Sequence, residues 1–243
     1  MGAARRGRLV VRRRAAGVRT RPNLTIHGGV TVDRVLFAGT TAVGAIAADR
    51  TEYRADEVVL AAGSYGSAAV MLRSGVGPAA DLTALGIEVA PTCRSGGGCR
   101  TTRSSPTPGI APLIDSNFLD TGRDARQMLE GVRLARTIAH NPVFAPLTAG
   151  ELIPGDAVPD ADLAEVIAAN LALYGHPTAT APMGGPHDEW AIVDAVGAVH
   201  GLAGLGVADA SIIADTSSTP TNLTVIMLAE RIHRRAYAAR SRP

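Results

Sequence analysis

Three short stretches carry side chains whose types and spacing could do chemistry. The first is Gly63-Ser64-Tyr65-Gly66-Ser67-Ala68-Ala69-Val70-Met71-Leu72-Arg73-Ser74-Gly75-Val76-Gly77, directly after the apolar run Val58-Val59-Leu60-Ala61-Ala62. A strand that ends in a glycine turn and opens a helix lets backbone lie close to a flat cofactor, and the helix amino terminus offers unpaired N–H groups to an anion. The same letters also suit an ordinary strand-turn-helix unit. The second stretch holds His176-Pro177, with Thr178, Thr180 and Met183-Gly184 after it. Imidazole is the side chain whose pKa best suits proton acceptance near neutrality. A histidine beside proline in a loop is equally an ordinary turn residue. The third is Asn222, in Thr219-Pro220-Thr221-Asn222-Leu223. Its amide can hold a substrate oxygen without competing for a proton, or it can cap the helix that follows.

The elements that must position these residues follow from pattern. Residues 24–48 are short Val/Ile/Leu/Thr runs broken by Gly28-Gly29 and Gly39-Thr40, which predicts a small antiparallel meander. Residues 58–63 read as a buried strand with its glycine turn, and 67–73 as a helix that Gly75 ends. Pro78 opens a second short helix with Leu82 and Leu85 on one face and Gly86 after it, and 87–90 read as a strand. From 93 to 108 only Gly, Ser, Thr, Arg, Cys and Pro occur, with no periodicity, so this is a linker. Amphipathic helices are expected over 124–139 and 160–172, strands over 190–193 and 205–208, and a closing helix over 223–237, with Thr221 or Asn222 as its cap.

Composition sets the outer limits. At 243 residues with 46% hydrophobic and 3% aromatic content, the chain can bury a core made of Ala, Val, Leu and Ile, which suits an α/β or α+β class. The net charge is +2, yet Arg5, Arg6, Arg8, Arg12, Arg13, Arg14, Arg19 and Arg21 crowd one end. That arm reads as a disordered tail. Without aromatic platforms or a recognised motif it makes no nucleic-acid interface. No apolar run is long enough to span a bilayer, so the expectation is a cytoplasmic protein. Cys93 and Cys99 match neither a redox pair nor a zinc pair, and no metal is expected.

Taken with their neighbours, the three stretches resemble the glucose-methanol-choline (GMC) family of FAD-dependent oxidoreductases. Gly63, Ser64, Ser67, Val70, Met71, Ser74, Gly75, Val76 and Gly77 fit the family's second signature, and Ala68 departs from its usual Pro or Ser. The run from Tyr174 to Gly184, with Val193-Asp194, Val199-His200-Gly201 and Ala208-Asp209-Ala210-Ser211, is similar to its carboxy-terminal motif. The resemblance implies that His176 is the catalytic base and that Asn222 occupies the second active-site position, where the family carries His or Asn. It implies that the substrate is a small-molecule alcohol and the cofactor FAD, contacted by Val32 at the adenine end and by Asp209, Ala210, Gly63 and Ser64.

Two parts of the family pattern are missing. No Gly-x-Gly-x-x-Gly occurs, so the turn that would cradle the flavin pyrophosphate is absent, as is most of the substrate-domain sheet. One GC-rich coding of residues 93–103, read from its third nucleotide, spells Pro-Val-Gly-Arg-Gly-Leu-Gln-Asp-His-Pro. That is close to a family segment beside the flavin, and a frameshift would account for the linker. The expected layout is α/β: a basic arm (1–21), part of a Rossmann-like FAD-binding domain (22–91), the linker (92–107), a helical remnant of an α+β substrate domain (108–175), and a carboxy-terminal segment returning to the FAD domain (176–243). The chain is read as a shortened FAD-dependent alcohol oxidoreductase that lacks an amino-terminal half or takes it from a partner chain; the alternative is a non-catalytic remnant or binding module that holds no flavin.

Overall fold

The computed structural model describes residues 18–90, 102–103, 107–110, 112–115, 117–172, 175–215 and 219–240. Most of the linker, with Cys93 and Cys99, lies outside them. The meander is present but shifted along the chain: β1 (Val32–Ala38), β2 (Thr41–Ala47) and β3 (Glu52–Arg54) form an antiparallel sheet in that order. The β1–β2 turn at Gly39 has φ +60°, a conformation that costs glycine little. Residues 24–30, where the expected meander begins, are not in the sheet. Leu24 and Ile26 are exposed there, and a strand without a covering face gains nothing by pairing.

A second sheet positions the site. β4 (Val58–Leu60) pairs in parallel with β7 (Leu205–Val207), placing Val58 beside Leu205 and Leu60 beside Val207. From β4 the chain turns at Gly63, at φ +79°, into α1 (Gly63–Arg73), which starts four residues before the sequence suggests. Its first turn, Gly63-Ser64-Tyr65-Gly66, holds no aliphatic residue, so hydrophobic spacing gives no signal there. Gly75 at φ +81° ends the helix, and the Val76 N–H returns to the Met71 carbonyl at 2.9 Å. α1 packs between the two sheets, with Met71 wholly buried among Val35, Leu60, Val193, Val207 and Ile212. At the helix end Ser74 accepts the Val35 N–H at 2.8 Å, and Arg73 reaches the buried Asp33 at 3.2 Å.

Several elements differ from pattern. α2 (Ala79–Ala84) buries Leu82 but leaves Leu85 40% exposed, because the helix ends one residue before it. Residues 87–90 form no strand: Ala90 donates to the Gly75 carbonyl instead, so this run packs on a helix end. Residues 190–193 make only isolated bridges from Val193 to Met183 and Val199. Within the expected linker, β5 (Thr102–Arg103) pairs with β6 (Leu113–Ile114), two residues each and too short for periodicity to reveal.

α3 (Gly122–Ala139) is capped by Thr121, whose hydroxyl accepts the Asp124 N–H at 3.1 Å. It buries no residue, and Leu134, Ile138, Phe144 and Leu147 nearby are exposed. Polar contacts hold the region instead. Arg136 grips Glu151 at 2.7 Å and donates to the carbonyls of Gly155 and Val158, while Arg133 pairs with Asp160 ahead of α4 (Leu163–Ala169). α5 (Thr221–Arg240) closes the chain. No helix among the described residues is long and apolar enough to cross a membrane.

Hydrogen bonds from Arg136 hold the Glu151 carboxyl below the usual carboxylate range, and those from Arg133 do the same for Asp160. Such lowered groups stabilise above their unfolded pKa of about 4 and lose that contribution as pH falls through the folded one. Acidification below about pH 4 is therefore expected to speed amide exchange over 122–170 before it affects α1. Arg136→Leu is expected to give the fast exchange already at pH 7; unchanged exchange in that variant would contradict the assignment.

Candidate active site

Asp209 stands where β7 ends and is 6% exposed. One carboxylate oxygen accepts the Gly63 N–H at 2.9 Å and the Ser67 hydroxyl at 2.5 Å; the other accepts the Ser211 N–H at 2.9 Å and its hydroxyl at 2.5 Å. Ser67 in turn accepts the Ala62 N–H at 3.0 Å. Both oxygens are thus engaged from two sides, which is how a buried carboxylate is tolerated. The result is a fixed junction between the glycine turn and the 3-10 turn Ala210–Ile212.

The histidine loop is locked to the same junction. The Ser64 hydroxyl donates to the Pro177 carbonyl, and the Thr180 hydroxyl donates to the Ser64 carbonyl, both at 2.5 Å. Further on, the N–H groups of Ala181 and Met183 donate to the carbonyls of Ser211 and Ile212 at 2.9 and 3.0 Å. His176 is half-buried, one residue before the Ser64 contact.

The structure therefore brings Gly63, Ser64, Asp209, Ala210 and the loop bearing His176 together. Val32 stands apart, 39% exposed at the start of β1. Its carbonyl accepts from Arg73 at 3.4 Å, at the far end of α1, about 16 Å of helix from Gly63. Asn222 is exposed as the second residue of α5, inside the helix and so not its cap; Thr221 before it is buried. No hydrogen bond to a described residue occupies the Asn222 amide or ties it to the junction. Ser67, Thr180 and Ser211 are the positioning residues that pattern reading left without roles. Their signal was small hydroxyls embedded in apolar runs, where a buried polar atom needs a partner.

The first turn of α1 has four N–H groups without helical partners. Ser67 answers that of Ala62 and Asp209 that of Gly63, while those of Ser64 and Tyr65 meet no acceptor among the described residues. A Cβ added at Gly63 would also point into open space. Parallel strands, a glycine turn and a helix amino terminus beside a histidine loop define a mixed α/β protein with a dinucleotide-type strand-turn-helix unit.

Comparison with known proteins gives the family. Models of the amino-terminal and carboxy-terminal regions of GMC oxidoreductase match residues 10–120 and 97–229, and the chain belongs to this family of oxidoreductases. It is 28% identical over 307 aligned positions to 5-(hydroxymethyl)furfural oxidase of Methylovorus sp. strain MP688, covering 89% of this chain and 58% of that protein. It is 36% identical over 129 residues to oxygen-dependent choline dehydrogenase of Acinetobacter baumannii, 53% of this chain and 23% of that one. Pyridoxine 4-oxidase from Mesorbium loti superposes with a TM-score of 0.80 at 25% identity, over 91% of this chain and 60% of that chain. The chain thus spans well under two thirds of these relatives. The 307 aligned positions exceed its 243 residues, so the furfural oxidase carries internal segments that this chain lacks.

Removing the central carboxylate leaves buried donors unanswered. Asp209→Ala is expected to destabilise the fold by about 3 kcal/mol or more, since hydrogen bonds to a charged group contribute about 1.5–3 kcal/mol each. Urea unfolding measures this, and a loss under 1 kcal/mol would show that the junction is held by something else.

Proposed function

We propose that this chain carries the proton-accepting part of a FAD-dependent site that oxidises the CH–OH group of a small alcohol. The observation that carries the reading is the double lock of Ser64 with Pro177 and Thr180, which fixes the His176 loop against the glycine turn. His176 accepts the hydroxyl proton of the alcohol as the carbon gives up hydride, a role that imidazole fills near neutral pH. Asn222, free of capping duty, holds the substrate oxygen through its amide. FAD, when bound, supplies the hydride acceptor.

The residues present fit one side of that cofactor. Gly63 keeps its face open to a flat ring, and the N–H groups of Ser64 and Tyr65 face an anionic or carbonyl edge without rivals. The Asp209 carboxylate is already engaged, so contacts from Asp209 and Ala210 go through backbone. Val32, a helix length away, takes the adenine end. The pyrophosphate cradle has no counterpart in the sequence, which carries no Gly-x-Gly-x-x-Gly. A complete site thus needs a pyrophosphate cradle that these 243 residues do not carry. The substrates named in 5-(hydroxymethyl)furfural oxidase and choline dehydrogenase are both alcohols, in keeping with this reading.

The missing cradle also favours a second reading, in which the chain is a remnant that holds no flavin. Adding FAD to the purified chain separates the two: flavin absorption bands that are shifted and survive desalting support the oxidoreductase. In a flavin-loaded preparation His176→Ala is expected to retain the bands and to slow their bleaching by choline or 5-(hydroxymethyl)furfural by about 10²–10⁴-fold. Bands lost on desalting, with or without the missing half, would leave the remnant.

A further inference from the structure

We propose that the outward face of α3, with the turn that follows it, is the interface of a twofold dimer of this chain. The pairing goes beyond the flavin reading and does not depend on it.

α3 has two unlike faces. Ala125, Leu129, Val132 and Arg136 are half-buried against the chain's own residues, while Gln127, Gly131, Leu134 and Ile138 form an exposed row at helical spacing. The outward row of a surface helix is ordinarily polar. Here its carboxyl-terminal half is aliphatic. The chain then folds back at once: Phe144 donates its N–H to the Asn141 carbonyl and Leu147 donates to that of Phe144, both at 2.8 Å. Arg136, gripping Glu151 and the carbonyls of Gly155 and Val158, keeps Leu152 and Ile153 beside the same half of the helix.

Area and charge together point to a second copy as the occupant. Between residues 134 and 153 seven large apolar side chains are exposed by 46% to 94%. At roughly 100 Å² apiece they amount to roughly 700 Å². That exceeds the largest apolar patch of an ordinary monomer, roughly 300–600 Å², and comes near the roughly 800 Å² that each partner buries in a stable interface. Residues 134–158 hold four titratable side chains, and each is partnered inside the segment: Arg136 with Glu151 at 2.7 Å, and His140 with Asp156 at 3.4 Å. A twofold brings a surface against itself, so any unpaired charge there would meet its own kind or be buried alone. This face carries none, and it offers a partner of different sequence no charge to recognise. No described residue covers it, and the internal segments that the furfural oxidase carries are absent from this chain. A copy related by a twofold covers it once and closes the assembly at two.

Sedimentation velocity of the whole chain over a micromolar concentration series is the test. A single species of twice the chain mass of 24.9 kDa is expected, dissociating to monomer on dilution without larger assemblies. Ile138→Lys on the helix and Leu152→Lys on the turn each place a charge where the copies meet. Each is expected to weaken the dimer at least about 30-fold, the loss of a central interface contact. Both positions are exposed in the single chain, so the far-ultraviolet circular dichroism of the diluted variants is expected to match that of the diluted parent. If one variant fails to fold, the other decides. Ile26→Lys, at a similarly exposed aliphatic residue of another segment, is expected to leave the dimer intact. A monomer at every concentration, open-ended association, a dimer indifferent to both substitutions, or one that Ile26→Lys weakens equally would overturn the proposal.

Discussion

The carboxylate of Asp209 ties together segments that are 142 and 146 residues apart in sequence, through the Ser67 hydroxyl and the Gly63 amide. A buried charge is costly unless every oxygen is answered, and here four donors converge on two oxygens. That requirement fixes where β4 ends, how α1 begins, and how the 3-10 turn after β7 is oriented. Ser64 and Thr180 then extend the same network to the histidine loop. The glycine turn and the loop therefore keep their relative placement without a ligand to organise them, the preorganisation that a site for a reactive cofactor needs.

The same fold is unfinished at its margins. β4 and β7 form a parallel pair, a geometry with little stability unless covered on both faces, and only one face is fully covered among the described residues. The region around α3 tells a similar story by different means. It buries no residue of that helix and relies on the largely shielded pair of Arg136 with Glu151, while the exposed pair of Arg133 with Asp160 adds little in water. An assembled core between α1 and the sheets thus coexists with apolar surfaces that no described residue covers. The alignment of 307 positions against a 243-residue chain agrees with that picture.

Sequence reading recovered what depends on local signals. Gly75 and Gly86 ended their helices as read, because each adopts the positive φ that such an end requires. The motif around Gly63, His176 and Asn222 led to the family that the comparisons bear out. What escaped was set by tertiary partners. Residues 87–90 and 190–193 have strand-like composition, yet their backbone groups are taken by Gly75, Pro182 and other neighbours instead of by a ladder. The inward turn of the Asp209 side chain was equally hidden, since its donors come from the far side of the sequence. Leu85 and the apolar residues of α3 read as core from spacing, and only a neighbour could have buried them.

One satisfied carboxylate, that of Asp209, holds the site together before any cofactor arrives. Native-state hydrogen exchange of the purified chain, followed at the amides of Gly63 and Ser211, tests it most directly. Both donate to Asp209 at 2.9 Å, so exchange as slow as that of the buried α1 amides of Val70 and Met71 is predicted. Exchange at the rate of the exposed 3-10 segment near Leu147 would contradict it, because the junction would then be open in solution.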